Sequence, residues 1–407
     1  MDDDMPKDKY NFVWFLCAVL GIGQLFPWNA FISGFDYFIY LFDPFPIVFA
    51  LPIANNWGSM AAFLVLTKYG SLVSPTKRLY VAYFVTFAML FLVPVINIVN
   101  WNRMARVWLT LIATFLTGAA TAVMTGTTFG IVAVLPNKYV GAVMSGQGIA
   151  GILAGGIKLC VNFWWFTETE TNKGQLTTSG VLYFGIASIL IMMVFYATLA
   201  LVNTDFYLYY SQRSTEIGTA VQDNDISVSE PFSGTTLVPT TLDVFKKIWV
   251  KAIHVFLVFF VTLTLFPGFT TKMRNYDRAH LTDGNFGVIL ISLFQLFDTV
   301  GRTLPTWFVF PKAKYLPIPV WLRILLFTPL IMLSVYTDAL PSNWIPYITM
   351  ALFATSNGYF STVGMMYGSS SVTISESSTA GLLMSLFLQL GVFAGVHFAM
   401  ILSFIIK

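Results

Sequence analysis

The stretch VWLTLIATFLTGAATAVMTGTTFGIVAVLPN, residues 107–137, holds no Asp, Glu, Lys or Arg. A helix rises 1.5 Å per residue and the hydrocarbon core of a bilayer is about 30 Å thick, so about 20 apolar residues make one crossing. A charge-free run of this length reads as a membrane helix that tilts or reaches into the interfaces. The same reading applies to residues 11–35, 44–67, 79–102, 139–157, 174–204 and 252–271, all equally free of charge. Residues 284–311, 318–337, 339–375 and 377–406 continue the pattern, the first interrupted by Asp298 and Arg302 and the second holding Arg323 near its start. The chain is therefore expected to be an all-α polytopic membrane protein of about eleven transmembrane helices.

Composition leads to the same class. Of 407 residues, 57% are hydrophobic and only 10% charged, with a mean hydropathy of +0.74. A soluble chain carries about 25% charged residues, and this one lacks the charge to coat a water-facing surface. The net charge of +3 is small and dispersed, which argues against nucleic-acid binding. Cys17 and Cys160 both lie in apolar runs and read as small buried hydrophobes. The first residues run into an apolar stretch without a small-residue cleavage site, so no signal peptide is expected, and no Asn-x-Ser/Thr sequon occurs.

Between residues 203 and 247 the character turns to Ser, Thr, Asp and Glu, which reads as a mobile cytoplasmic loop. It divides an N-terminal bundle, residues 1–202 with helices 1–6, from a C-terminal bundle, residues 248–407 with helices 7–11. Lys and Arg fall mainly on the side of the N-terminus, Lys68, Lys138, Lys247, Lys312, Lys314 and Arg323 among them. By the positive-inside rule the N-terminus is cytoplasmic and the C-terminus extracellular, with the plasma membrane as the expected location. Leu25-Phe26-Pro27 in the first helix and Leu265-Phe266-Pro267 in the seventh form a short internal echo, as carriers built from repeated halves show. Glycines four residues apart at 126 and 130, 151 and 155, 364 and 368, and 391 and 395 suit close helix packing.

Asp298 and Arg302 share one helical face and can pair. Either charge facing lipid at a helix centre costs about 2.5–3.5 kcal/mol, so both must turn toward the protein interior or a water-filled cavity. The carboxylate accepts hydrogen bonds and the guanidinium donates them, a pairing suited to a neutral solute with a diol or a heterocyclic edge. Gln147, set between Gly146 and Gly148, offers an amide with donor and acceptor, suited to a base edge or to an interhelical hydrogen bond. Trp28 follows Pro27 and can stack on a base or sit in the interfacial aromatic belt. Residues 146–151 match G-x-G-x-x-G but follow no strand, so the match does not indicate a dinucleotide site. His254, His280 and His397 are scattered and no metal or hydrolase motif is present, so neither an enzyme, a metal site nor a cofactor is expected. Lys158 and His397 read as polar contacts at helix interfaces.

Taken together, Pro27-Trp28-Asn29, Met144-Ser145-Gly146-Gln147-Gly148, Phe297-Asp298-Thr299-Val300-Gly301-Arg302, Ser356-Asn357-Gly358-Tyr359 and Thr379-Ala380-Gly381 resemble the equilibrative nucleoside transporter family through most of the chain. The resemblance implies a two-half, six-plus-five arrangement similar to the major facilitator fold. It also implies that Trp28, Gln147, Asp298 and Arg302 line a central purine or pyrimidine nucleoside site. Alternating access with facilitated diffusion is the expected mechanism; the alternatives are a proton-coupled symporter, opposed by the closeness of Arg302 to Asp298, and a receptor or channel. The short 34–46 loop without a sequon and the modest 203–247 connection depart from longer relatives, and neither touches the expected site.

Overall fold

The computed structural model describes residues 6–99, 101–165, 173–226, 241–276, 283–337 and 342–405. Among them the chain forms helices α1 (Phe12–Ser33), α2 (Phe35–Phe42), α3 (Ile47–Tyr69), α4 (Pro75–Ile98), α5 (Arg103–Val132), α6 (Asn137–Trp165) and α7 (Lys173–Val202). They are followed by α8 (Asp205–Ile226), α9 (Thr241–Leu265), α10 (Asp283–Thr303), α11 (Pro317–Tyr336), α12 (Trp344–Ser369) and α13 (Ile374–Ile405). Backbone polar groups in hydrocarbon must be satisfied within their own segment, which is why apolar runs of this length become helices.

Nine helices among the described residues are long and apolar enough to cross a membrane: α1, α3 to α7, α9, α11 and α13. Helices α10 and α12, with 21 and 26 residues, are also long enough to cross. Asp298 and Arg302 interrupt the apolar character of α10, and Thr355, Ser356, Asn357 and Gly358 that of α12.

The connection expected to be a loop over residues 203–247 contains α8, and residues 227–240 lie outside the described region. The helix has a local cause. The Tyr207 N–H donates to Thr204 Oγ1 at 3.2 Å, a hydroxyl N-cap, and Asp205 places negative charge at the positive end of the helix dipole. Phe206 packs its ring 5.2 Å from Tyr139, and Ser214 Oγ donates to the Ile374 carbonyl at 3.1 Å. Polar composition alone suggested a loop because it does not register capping or such anchors.

The chain divides into two compact units. One comprises Met1–Cys17, Phe129–Ser145 and Ala200–Lys407, and the other Ala18–Thr128 and Gly146–Leu199. In the first, Phe286, Leu290, Phe294, Phe327, Ile331, Met350 and Phe353 form a buried core, with the Phe266 and Phe294 rings stacked at 3.8 Å. Gly391 and Gly395 seat α13 against the Phe256 and Phe260 carbonyls of α9, whereas Gly155, of the 151–155 spacing, faces open space. In the second unit, Phe31, Phe38, Tyr37 and Phe184 form an aromatic cluster, and Ser59 Oγ donates to the Gly118 carbonyl at 2.9 Å across α3 and α5.

Two expectations change. The echo of Leu25-Phe26-Pro27 in Leu265-Phe266-Pro267 has no common structure, because Pro27 lies inside α1 while Pro267 follows the end of α9 and leads into Gly268. Cys17 is buried but Cys160 is exposed. An apolar thiol on a membrane helix is tolerated among acyl chains as well as in a protein core.

Candidate functional site

Asp298 and Arg302 are 5% and 4% exposed, and the Arg302 Nε–H donates to Asp298 Oδ2 at 2.7 Å. The other carboxylate oxygen, Oδ1, accepts from Asn357 Nδ2 at 2.7 Å. The Asn357 amide oxygen in turn accepts from Thr262 Oγ1 at 2.8 Å, and Thr262 Oγ1 accepts from Arg323 Nη2 at 3.0 Å. The result is a directed chain of hydrogen bonds. Arg323 donates to Thr262, Thr262 to Asn357 and Asn357 to Asp298, while Arg302 donates to Asp298 from the other side. A carboxylate only accepts and a guanidinium only donates, so these groups set the direction of every link.

The helix crossing makes the chain possible. A Cβ on Gly358 would fall inside the contact distance of the Asp298 carbonyl, and one on Gly301 inside that of the Thr355 carbonyl. Backbone lies against backbone, which brings Asn357 within reach of Asp298. The cations also lie near rings, with Arg302 Cζ 5.8 Å from the Phe259 centroid and Arg323 Cζ 5.3 Å from that of Phe353. Ser145 Oγ, on α6 two residues before Gln147, approaches the Arg302 carbonyl at 3.3 Å.

In the other unit, Gln147 Nε2 donates to Gln24 Oε1 at 2.7 Å, with both side chains buried. Gly146 permits this contact, since a Cβ there would run into the Ala18 carbonyl of α1. The Gln24 Nε2 atom is buried and has no hydrogen-bond partner among the described residues, although a buried amide donor left unmade costs about 1–3 kcal/mol. Trp28 is half-buried and one turn beyond Gln24, so the two share a face of α1. Asn29 Nδ2 donates to the Leu25 carbonyl at 3.0 Å, supporting the helix beside Pro27. Gln24 escaped notice in the sequence because one amide in a membrane helix resembles any other. Its signal was its spacing of one turn from Trp28.

Arg323 was expected among the cytoplasmic charges and is instead inside α11, 3% exposed. It donates from Nε to Ser356 Oγ at 2.8 Å, and from Nη1 and Nη2 to the Val258 and Phe353 carbonyls at 3.3 and 3.4 Å. Its position after Val320, Trp321 and Leu322 and before Ile324 was the signal that it lay within the membrane. Lysine cannot replace this fork, because its three donors radiate from one point. Arg323→Lys is expected to lower uptake about tenfold at normal surface abundance, since a hydrogen bond to a charged group contributes about 1.5–3 kcal/mol. Uptake normalised to surface-labelled protein measures this, and a native rate would remove Arg323 from the network's function.

Lys158 is buried with Nζ 5.7 Å from the centroid of the Tyr183 ring. His397 Nδ1 lies 2.8 Å from the Phe393 carbonyl, one turn back on α13. His280 lies outside the described residues.

Residues 111–406 match the family model described as Nucleoside transporter. The chain is 27% identical to the Homo sapiens protein named equilibrative nucleoside transporter 1, over 98% of this chain and 99% of the relative. It is also 27% identical to Homo sapiens equilibrative nucleoside transporter 2, over 99% and 98%. Among solved structures it resembles the major facilitator superfamily proton:xylose symporter XylE, with a TM-score of 0.67 at 14% identity over 98% of this chain and 91% of that one. The fold is thus that of the major facilitator superfamily. With a family match over most of its length and polar residues gathered on otherwise apolar membrane helices, the chain belongs to the nucleoside transporter family, a family of carriers and not of enzymes.

Proposed function

We propose that this chain carries nucleosides, nucleobases or both by alternating access, exposing its substrate to one face of the membrane at a time and moving it down its own gradient. Trp28 stacks on the base, Gln147 and Gln24 bond its edge, and Asp298 with Arg302 holds the ribose hydroxyls. The observation that carries the reading is the buried Asp298, fixed between Arg302 and Asn357 on helices of otherwise apolar character. Ionisable groups inside membrane helices mark solute pathways by default. The unmade Gln24 donor supports the assignment of the base edge, because a heterocyclic acceptor would complete it.

Facilitated diffusion is favoured over proton coupling. Asp298 is held in an ion pair with Arg302 at 2.7 Å. The names of the human relatives point the same way. The plasma membrane with a cytoplasmic N-terminus is the proposed setting, since the excess of Lys and Arg on that side persists without Arg323.

Expression in cells without endogenous uptake provides the test. Labelled adenosine and hypoxanthine should enter saturably, show counterflow exchange and equilibrate without accumulating. Gln24→Met should raise the KM for adenosine about tenfold, the effect of losing one hydrogen bond that is otherwise left unpaired. Flux linear in solute would replace the carrier with a pore, and accumulation collapsed by a protonophore would replace facilitated diffusion with symport.

A further inference from the structure

A cavity of about 590 Å³ is lined by residues of the 304–315 connection, the start of α11 and the middle of α12. Its walls include Phe308, Tyr315, Ile318, Leu322, Leu352 and Phe360. Its volume is that of a small-molecule site. The polar groups that Thr355, Ser356 and Tyr359 bring to the wall are already engaged. Thr355 Oγ1 donates to the Ala351 carbonyl, and Ser356 Oγ donates to the Phe353 carbonyl while accepting from Arg323. The Tyr359 hydroxyl accepts from the Phe310 N–H at 2.8 Å and lies 3.3 Å from the Phe308 carbonyl. A nucleoside would leave its hydroxyls and base edge unmatched here, so the surface selects an apolar guest.

What reaches this cavity follows from its position. Leu322 and Leu352 are exposed on helices α11 and α12, which lie in the bilayer, so the groove opens on acyl chains. From Leu352 to Phe360 it runs about 12 Å along α12, at the helical rise per residue. At the end by the connection, Pro311 and Tyr315 bracket Lys312 and Lys314, both exposed, and Lys314 Nζ lies 6.0 Å from the Tyr315 centroid. Hydrocarbon depth and a pair of cations at one mouth match one chemistry, that of an anionic phospholipid. The connection is held in place as a wall, because the Tyr367 hydroxyl donates to the Pro311 carbonyl at 2.9 Å.

We propose that this cavity is a binding site for an anionic phospholipid, with one acyl chain between α11 and α12 and the phosphate at Lys312 and Lys314. The bound chain touches Ser356, the residue that Arg323 holds, and so braces the α11 and α12 contact beside the polar network. The site depends on the chain spanning a bilayer and not on which solute is carried, so it is tested without transport.

The full-length protein is reconstituted in phosphatidylcholine vesicles carrying a trace of phosphatidylserine with a photoreactive acyl chain, or the same probe with a choline headgroup. Cross-linked peptides are then mapped by mass spectrometry. Labelling by the serine lipid should concentrate on residues 318–322 and 352–360 and exceed labelling by the choline lipid there about tenfold, as two lysines near an anionic headgroup imply. The K312Q/K314Q double variant should erase that preference. Leu352→Trp, which fills the groove, should remove label there and leave it elsewhere on the lipid-facing surface. Equal labelling by both headgroups in the native protein, or label spread evenly over all lipid-facing helices, would overturn the proposal without recourse to any variant.

Discussion

Asp298→Asn is expected to abolish saturable nucleoside uptake while the protein still reaches the membrane. The substitution keeps the shape of the side chain and reverses half of its hydrogen-bonding character. Asp298 accepts from Arg302 through one oxygen and from Asn357 through the other. Asparagine has one acceptor and one donor, so one of the incoming donors meets an N–H group. Asn357 can escape only by turning its own amide, and then its NH2 points at Thr262, which now gives its proton to Asn357 and takes one from Arg323. The mismatch moves to Thr262, which must then accept from both Asn357 and Arg323 and loses its own bond as donor to Asn357. A buried donor left unmade costs about 1–3 kcal/mol, and more when it is charged, so uptake should fall by at least about tenfold. Uptake of labelled adenosine, normalised to surface-biotinylated protein, measures it. Arg302→Ala should be worse for folding, because it leaves the carboxylate buried without its cation, a loss of about 3–5 kcal/mol. Near-native flux in Asp298→Asn would show that the charge of this side chain is not needed and would remove it from the substrate site.

Gly358→Val is the second substitution expected to have a large effect, and it acts through the backbone. The added Cβ would meet the Asp298 carbonyl, the Arg302 amide nitrogen and the Gly301 carbonyl carbon, none of which is a flexible side-chain end. Helices α10 and α12 must separate, and Asn357 leaves Asp298 as they do. Overpacking of a tight core costs about 1–3 kcal/mol, and here the loss of the buried hydrogen bonds adds to it. Purified protein should melt well below the native protein in a thermal-shift assay, and surface expression should drop. Gly155→Val is the control, since a Cβ there has open space around it and should leave both readouts unchanged. Equal melting of the two variants would mean that the close crossing is not what holds these helices together.

The apolar helices along the chain were legible because charge in hydrocarbon is costly, and its absence over runs such as residues 107–137 leaves few alternatives, although nine of the eleven expected spans stand out among the described residues. Asp298 and Arg302 were legible as a pair for the same reason, their spacing of one helical turn making the contact a local matter. Arg323 was misplaced because the same charge marks either a helix end or a buried functional group, and only its surroundings tell the two apart. The helix in the 203–247 connection was hidden behind polar composition, although Thr204 and Asp205 supplied its start.

By itself the sequence determined the solvent, the all-helical class and the Asp298–Arg302 pair, because each of these follows from the transfer cost of local groups. Tertiary structure alone decided which partners those charges have. Asn357 is 59 residues from Asp298 along the chain, Thr262 is 95 from Asn357, and Gln24 is 123 from Gln147. Hydrogen bonds of that reach depend on which helix faces meet, and the meeting is set by backbone approach at Gly301, Gly358 and Gly146, where a missing side chain, more than any present one, determines the contact.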